Sequence, residues 1–181
     1  MTVAETVIPG VVELALPRFE DDRGWFLKVS QRSRFEALAL PWAFTEQYVT
    51  RSAAGVVRGL HLQTPPAEMF KLVTCLAGAA LDVVVDLRVG SPAYGQHALV
   101  ELSGATNVAV AIPAGCAHGF LARENDTLLG YHCTAEYSPA DDTGVLWNSA
   151  GIEWPLTGEP ILSARDLALP ALADFDSPFI Y

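Results

Sequence analysis

Short apolar segments alternate with turn residues along almost the whole chain. The segments are rich in β-branched residues, and glycine, proline, asparagine or aspartate separates them. Many short strands at this spacing, with turn chemistry between them, predict a closed barrel or a sandwich. The predicted strands cover residues 11–16, 24–29, 56–62, 70–76, 79–87, 96–102, 108–112, 119–122 and 128–134.

Helical periodicity is confined to short stretches. Residues 33–40 carry Phe35 and Leu38 at helical spacing and are followed by Pro41, which predicts a short helix. A second short helix is expected near the end of the chain. No internal repeat or low-complexity linker divides the 181 residues, a length that suits one domain with a real core. We therefore expect an all-β domain that covers residues 1–181.

Composition and charge restrict the possible partners. The formal net charge is −10 and the pI is about 4.7, so the surface repels phosphate backbones, which argues against nucleic acid as a partner. A phosphate-bearing substrate would require the few cations to be gathered in one place. The apolar runs are too short to cross a bilayer, and the first residues do not resemble a signal peptide. Scattered Cys75, Cys116 and Cys133 without Cys-x-x-Cys spacing predict reduced thiols and a cytoplasmic location.

Two acidic residues fall within an apolar predicted strand, residues 81–87. In strand geometry Asp82 and Asp86 point to one face, and Val83 and Val85 point to the other. This pattern fits a barrel interior with a few polar groups and fits a solvated outer face equally well.

Two motifs bring ionisable residues into apolar strands. Residues 55–63 include Arg58 and His61, with Lys71 ten residues after the histidine, and residues 113–120 include His118. A lone histidine in an apolar strand is usually a hydrogen-bonded core residue. Several ionisable groups in such strands cost too much without pairing or function, so these residues are candidates for a functional site.

Strand alternation predicts which of these side chains share a face. In regular geometry Gly59, His61 and Gln63 lie on one face of residues 55–63. Arg58 is then expected on the opposite face, together with the leucines at positions 60 and 62.

The segment Pro113-x-Gly115-x-x-His118 resembles the second motif of the cupin superfamily, a small β-barrel fold. Cupins often bind a metal through a His-x-His pair and a glutamate of the first motif, together with the histidine of the second. This chain has His61-x-Gln63, and an amide is a poor ligand for a transition metal. Glu68 lies near the acidic position, but its spacing to Gly78 does not fit, so we expect no metal.

Together the motifs resemble the dTDP-4-dehydrorhamnose 3,5-epimerases and their relatives acting on other nucleotide 4-keto sugars. The resemblance runs over nearly the whole chain and implies a cupin-type jelly-roll barrel with short flanking helices, in a homodimer. The matching segments are Asp22-Arg23-Gly24-x-Phe26, Arg58-Gly59-Leu60-His61-x-Gln63, Lys71-Leu72-Val73, Gly90-Ser91-Pro92-x-Tyr94-Gly95, Ile112-Pro113-x-Gly115-x-Ala117-His118-Gly119-Phe120, Tyr131-x-Cys133-Thr134-x-x-Tyr137-x-Pro139, Gly144-Val145-x-Trp147 and Leu162-Ser163-x-x-Asp166.

The resemblance implies a reaction without a cofactor. A nucleotide-diphosphate 4-keto-6-deoxyhexose would be inverted at carbon 3, carbon 5 or both, by loss and return of a proton beside the ketone. This chemistry requires a base, an acid on the other face of the ring, and a group that stabilises the enolate oxygen. His61 matches the base, Asp166 its carboxylate partner, Tyr131 the proton donor, and Lys71 the cation near the carbonyl oxygen.

The resemblance also implies substrate-binding residues. Arg23 and Phe26 are expected to reach the site of the partner subunit in the dimer. The implied binding residues are Arg23, Phe26, Arg58, Gln63, His118, Tyr137, Asp142 and Arg165.

Three positions depart from the family pattern. Lys28 replaces a common glutamate, Glu46-Gln47-Tyr48 replaces Gln-x-Asn, and Asp142 replaces another glutamate. We expect all three at the nucleotide end of the site, which leaves the identity of the nucleotide open. The sugar and the pathway are open as well. A 3,4-ketoisomerase, a metal-dependent cupin enzyme and a catalytically silent sugar-binding cupin are the alternatives.

Overall fold

Strands dominate the computed structural model, which describes residues 2–181. The helices are α1 (Arg32–Ala37) and α2 (Ala164–Leu167), and a single 3₁₀ turn covers Leu172–Asp174. The strands are β1 (Thr2–Glu5), β2 (Val12–Ala15), β3 (Arg18–Asp21), β4 (Gly24–Leu27), β5 (Glu46–Ser52), β6 (Val57–Gln63), β7 (Lys71–Ala77), β8 (Ala79–Asp86), β9 (His97–Ser103), β10 (Val108–Ile112), β11 (Cys116–Ala122), β12 (Thr127–Cys133) and β13 (Asp142–Gly144).

Two antiparallel sheets face each other in a jelly-roll arrangement. The six-stranded sheet has the order β1-β2-β10-β7-β12-β5, and the five-stranded sheet has the order β13-β6-β11-β8-β9. Strands β3 and β4 form a separate hairpin. The predicted all-β jelly roll with short flanking helices is confirmed.

The main core fills the space between the two sheets. Val73 and Leu129 of the six-stranded sheet pack in one cluster with Val84 and Phe120 of the five-stranded sheet, and all four are buried. Inward and outward positions alternate along β8, where Val84 belongs to this cluster and Val83 and Val85 belong to another on the outer face.

The outer faces of both sheets are covered as well. Helix α1 buries Phe35 completely against Leu14 and Leu72 of the six-stranded sheet. The segment after β13 covers the five-stranded sheet, where Val85 and Leu121 belong to the same cluster as partly buried aromatic residues of that segment. Removal of one such side chain from water contributes roughly 1.5–3 kcal/mol.

The sequence pattern missed β1, β3, β5 and β13. Strands β1, β5 and β13 lie at sheet edges and β3 belongs to the separate hairpin. These strands need no continuous apolar face, so the apolar periodicity that reveals a central strand is weak in them.

The acidic residues of β8 lie in the interior. Asp82 and Asp86 have no exposed surface, so the barrel-interior alternative is confirmed and the solvated-face alternative is wrong. Asp86 accepts hydrogen bonds from Arg88 and from the Ser91 hydroxyl, whereas Asp82 is bonded to His118.

Among the helices described between residues 2 and 181, none has the length and apolar character needed to span a membrane.

Candidate active site

A cavity of about 400 Å³ gathers polar side chains from both sheets. Strands β5, β7 and β12 contribute from the six-stranded sheet, and β6 and β11 contribute from the five-stranded sheet. Helix α2 and the loop before β13 complete the lining. All predicted site residues except Arg23 and Phe26 line this cavity.

His61 and Asp166 form a hydrogen-bonded pair at the wall of the cavity. His61 Nε2 lies 2.6 Å from Asp166 Oδ1. Asp166 is held on α2, whose N-terminal cap is the Ser163 hydroxyl, which accepts a hydrogen bond from the Asp166 N–H at 3.0 Å. A proton on Nε2, directed at the carboxylate, leaves Nδ1 with a free lone pair. Because the imidazole is partly exposed, this nitrogen can act as a base.

The Asp166 carboxylate is stabilised in its charged form. Burial raises the pKa of this carboxyl, but hydrogen bonds from His61, the Ser163 hydroxyl and the Gly59 N–H outweigh that effect and lower the pKa overall. A charged Asp166 favours the imidazolium that His61 becomes when it takes a proton.

A bulge in β6 brings Arg58 and His61 to the same side of the sheet. Where β6 pairs with β11, His61 lies opposite His118 and Arg58 lies opposite Phe120. The two β6 residues between Arg58 and His61 therefore lie opposite the single residue Gly119 of β11. Strict alternation, which assigned Arg58 to the opposite face, was therefore wrong. Gly59 has φ +118°, and a Cβ there would lie 2.6 Å from the Gly119 Cα, so the bulge requires glycine.

Lys71 enters the cavity from β7 and is almost fully buried. Its Nζ donates a hydrogen bond to the carbonyl oxygen of His61 at 3.3 Å. Burial lowers the pKa of this ammonium, and the nearby carboxylates of Asp142 and Asp82 oppose the shift. A cation with this little hydration interacts strongly with a developing oxyanion.

Tyr131 projects from β12, in the sheet opposite His61, and is 5% exposed. Its ring stacks on Tyr48 with 4.5 Å between centroids and 14° between planes. The His118 ring makes a T-shaped contact with it, with 5.8 Å between centroids. Burial raises the pKa of Tyr131 well above its ordinary value, which keeps the phenol protonated.

His118 belongs to a second histidine–aspartate pair, deeper in the barrel. Its Nε2 lies 2.7 Å from Asp82 Oδ2, and both side chains are buried. Burial raises the pKa of the Asp82 carboxyl, while His118 and Lys71 oppose that effect.

Charged groups also line the mouth of the cavity. Arg58 Nε donates to the Ser52 hydroxyl at 3.1 Å. Arg165 forms an ion pair with Asp142, which also accepts a hydrogen bond from the Tyr137 hydroxyl at 3.1 Å. The chain therefore gathers three of its few basic side chains in one cavity: Arg58, Lys71 and Arg165.

Gln63 uses its side-chain amide to position neighbouring backbone. Its Nε2 donates to the carbonyls of Ala67 at 2.7 Å and Glu136 at 3.2 Å, and its Oε1 accepts from the Ser138 N–H at 2.8 Å. Both amide donors are thus engaged within the chain. Across residues 2–181, no three histidine, cysteine or acidic side chains come together in a geometry that could hold a metal ion.

The sequence resembles one family of known proteins along most of its length. The model of the dTDP-4-dehydrorhamnose 3,5-epimerase family matches residues 5–174. The enzyme of that name from Sinorhizobium fredii is 40% identical over 174 residues, covering 94% of this chain and 89% of the relative. The dTDP-4-dehydrorhamnose 3-epimerase of Streptomyces niveus is 41% identical over 170 residues, covering 92% of this chain and 82% of the relative.

A solved structure agrees with the sequence relatives. The crystal structure of the Legionella pneumophila dTDP-6-deoxy-D-glucose-3,5-epimerase, in complex with dTDP-4-keto-L-rhamnose, superposes with a TM-score of 0.95 at 34% identity. The match covers 99% of this chain and 98% of that one. The chain belongs to the dTDP-4-dehydrorhamnose 3,5-epimerase family.

Two of the site residues implied by the family resemblance lie outside the cavity. Arg23 and Phe26 belong to the exposed β3–β4 hairpin, where Arg23 pairs with Asp21 and Phe26 stacks on Phe19. Lys28, one of the three departures from the family pattern, is also outside and lies 6.0 Å from the Phe26 ring.

The other departures line the cavity, including two residues that were not predicted as site residues. Tyr48 lines the cavity and stacks on Tyr131. Glu46 accepts a hydrogen bond from the Tyr137 N–H at 2.7 Å. Both belong to β5, one of the edge strands that the pattern missed. Their departure from the family pattern was the one sequence signal that could have identified them.

Proposed function

We propose that this protein inverts carbon 3, carbon 5 or both in a nucleotide-diphosphate 4-keto-6-deoxyhexose, without a cofactor. The observation that carries the proposal is a histidine–aspartate pair and a protonated phenol on opposite sheets of one cavity, in a member of this family. Inversion beside a ketone needs a base on one face of the sugar and an acid on the other.

His61 removes the proton in this mechanism. Its Nε2 is bonded to Asp166, so Nδ1 is the nitrogen that accepts the proton from the sugar carbon. The charge that develops on the imidazole lies next to a carboxylate with a lowered pKa. Asp166 acts through His61 by fixing its tautomer and orientation.

Tyr131 returns a proton to the other face, and Lys71 stabilises the enolate between the two steps. The phenol is suited to donation because burial keeps it protonated. The Lys71 ammonium lies beside the His61 backbone, close to where the base acts. Hydrogen bonds and cations directed at a developing oxyanion are often the largest contribution to such catalysis.

Arg58 and Arg165 bind the diphosphate in this proposal. Their guanidinium groups can form bidentate contacts to phosphate oxygens, which suits them better than lysine for this role. Tyr137 and Asp142 keep Arg165 in position and line the sugar pocket. Gln63 positions the surrounding loops. His118 contacts the sugar end of the substrate.

The test is turnover in deuterium oxide with several nucleotide 4-keto-6-deoxy sugars. Proton NMR should show deuterium at carbon 3, carbon 5 or both, with inversion at the same carbons and the ketone unmoved. Tyr131→Phe should still exchange deuterium into the starting sugar while inverted product fails to accumulate. A carbonyl that moves to carbon 3 would identify a 3,4-ketoisomerase, and loss of turnover in EDTA that a divalent metal restores would identify a metal-dependent enzyme. Either result would overturn the proposal.

A homodimer belongs to the same proposal. The β3–β4 hairpin exposes Phe19, Trp25 and Phe26, an apolar surface suited to burial against a second copy. Arg23 and Phe26 would then reach the partner's cavity. Light scattering at micromolar concentration should report twice the mass of the chain, and a monomer would contradict this part.

Two further features are part of the proposal. Residues 1–181 form one domain, since β2 near the start pairs with β10 and Ile180 near the end bridges to Val89, and calorimetry should give one unfolding transition. The protein is cytoplasmic, a location that suits its three free, buried cysteines. Cell fractionation tests the location.

A further inference from the structure

Tyr48 lies directly against Tyr131 in the candidate active site. The two residues are partners in the register of β5 and β12, and their rings are nearly parallel with centroids 4.5 Å apart. Tyr131 is 5% exposed, whereas Tyr48 is 40% exposed. Because β5 is the edge strand of its sheet, the Tyr48 ring separates Tyr131 from the outside on that side.

The Tyr131 ring is held from two directions. Tyr48 covers one face, and the His118 ring meets it edge-on with 70° between planes. Both arrangements are favourable for aromatic pairs, since a stacked or an edge-to-face contact aligns the ring quadrupoles. A tyrosine has only two side-chain torsions, so these contacts restrict the phenol to one position.

We propose that Tyr48 is a positioning residue for Tyr131, which fixes the phenol for proton return and excludes water from it. The inference rests on the proposed function, in which Tyr131 is the acid. An asparagine, the residue commonly found at this position in the family pattern, offers no ring for stacking. The stacked pair is therefore a feature of this chain's own sequence.

Groups from four strands face the Tyr131 phenol. They are Tyr48 of β5, Arg58 of β6, Asp82 of β8 and His118 of β11. Burial raises the pKa of Tyr131 most, and Tyr48 and Asp82 raise it further, while the Thr50 hydroxyl and Arg58 oppose them. Removal of the Tyr48 ring would admit water and lower this pKa. Because the acid must be protonated, activity would then decline at a lower pH on the alkaline side.

Tyr48→Asn and Tyr48→Phe test the inference in deuterium oxide. Tyr48→Phe keeps the stacked ring and should retain most of the inversion rate. Tyr48→Asn should lower the kcat for inversion about 10- to 100-fold, as expected for a displaced catalytic group, while deuterium still exchanges into the starting sugar. Its alkaline decline should begin at lower pH. Val49→Asn is the matched control, because this neighbour on β5 is exposed outside the cavity and should behave like wild type.

Two results would overturn the inference. One is a Tyr48→Asn variant with the inversion rate of wild type, and the other is an equal loss of inversion and exchange. NMR of protein with ¹³C-labelled tyrosine separates this inference from the proposed function, because it needs no substrate. The Tyr131 signal is identified as the one that is missing from the spectrum of Tyr131→Phe. Tyr131 should titrate at lower pH in Tyr48→Asn than in wild type. An unchanged titration would overturn the role of Tyr48, whereas a wild-type protein inactive on every sugar would overturn the proposed function.

Discussion

Two histidine–aspartate pairs lie on neighbouring strands and differ in their surroundings. His61 and His118 are direct partners in the register of β6 and β11, and each uses Nε2 to bond a carboxylate, at 2.6 Å and 2.7 Å. The His61 side chain is 24% exposed and faces the cavity, whereas that of His118 is 5% exposed. Nearly identical pair geometry therefore gives one imidazole that is partly exposed to the cavity and one that is almost buried in its wall.

The carboxylates differ even more than the histidines. Asp166 accepts hydrogen bonds from His61, the Ser163 hydroxyl and the Gly59 N–H, and its pKa is lowered despite burial. Asp82 Oδ1 has no hydrogen-bond partner within residues 2–181, and burial raises the pKa of this carboxyl. The contacts around a pair, rather than its internal distance, decide whether it can support a base. This difference supports the proposal that the His61 pair removes the proton.

The largest expected effect comes from His61→Asn. Loss of the general base should reduce both turnover and deuterium exchange by roughly 10²- to 10⁴-fold. His118→Asn is the matched comparison, because it removes the same ring from the buried pair, and it should retain more exchange than His61→Asn. Equal loss of exchange in the two variants, measured by NMR, would remove the distinction between the pairs.

Gly59→Ala should damage the accessible pair through the backbone. The new Cβ would lie 2.6 Å from the Gly119 Cα and 2.8 Å from the His118 carbonyl oxygen, at a φ of +118°. The bulge would have to shift, and a displacement of His61 by about 1 Å can cost about 100-fold in rate. Stability should fall as well, as urea unfolding would show.

Gly55→Ala is the control for this substitution. Gly55 also has a positive φ, +81°, but nothing lies within 4 Å of a Cβ there, and it is outside the cavity. It should lower stability while kcat stays near wild type. If Gly59→Ala kept full activity, the bulge would not be needed to orient His61.

The fold was largely predictable because its central strands bury apolar residues on both faces. The pattern over residues 79–87 predicted β8 almost to its ends, Ala79–Asp86. Strand β5 was missed because, of its seven residues, only Tyr48 and Val49 are apolar, and an edge strand carries little apolar signal.

The candidate site was predictable where it depends on residue type and less so where it depends on register. His61, Lys71 and Tyr131 do line one cavity. The common side of Arg58 and His61 depends on a bulge, which a period of two cannot reveal. Tyr48 was missed as a site residue because it contacts Tyr131 through the pairing of β5 with β12, and the two residues are 83 positions apart in the sequence.

Asp166→Asn should have an intermediate effect. The amide can still contact His61, but it no longer supports the imidazolium, which removes a charge-assisted hydrogen bond worth about 1.5–3 kcal/mol, or roughly 10- to 100-fold in rate. KM should change less than kcat, because Asp166 acts through His61. Steady-state kinetics checks this, and a loss as large as that of His61→Asn would show that Asp166 does more than orient the base.

The smallest expected effect is an opposite dependence of stability on pH for the two carboxylates. An unfolded aspartate titrates near pH 3.9. The lowered pKa of Asp166 stabilises the fold above that pH, and the contribution is lost as pH falls towards the folded-state value. The raised pKa of Asp82 has the reverse sign, so stability falls as pH rises above about 4 until the folded-state value is passed.

Asp82→Asn should therefore raise the free energy of unfolding at pH 7, because burial disfavours the charged form of Asp82 and the neutral amide can still accept from His118. The gain should vanish near pH 4.

Asp166→Asn should instead lower stability at pH 7 by about 1–2 kcal/mol, with a loss that shrinks below pH 4. Urea unfolding of both variants from about pH 3.5 to 7 measures the two slopes. Slopes of the same sign would mean that the two carboxylates are held alike, and the division between an accessible catalytic pair and a buried pair would then lose its electrostatic basis.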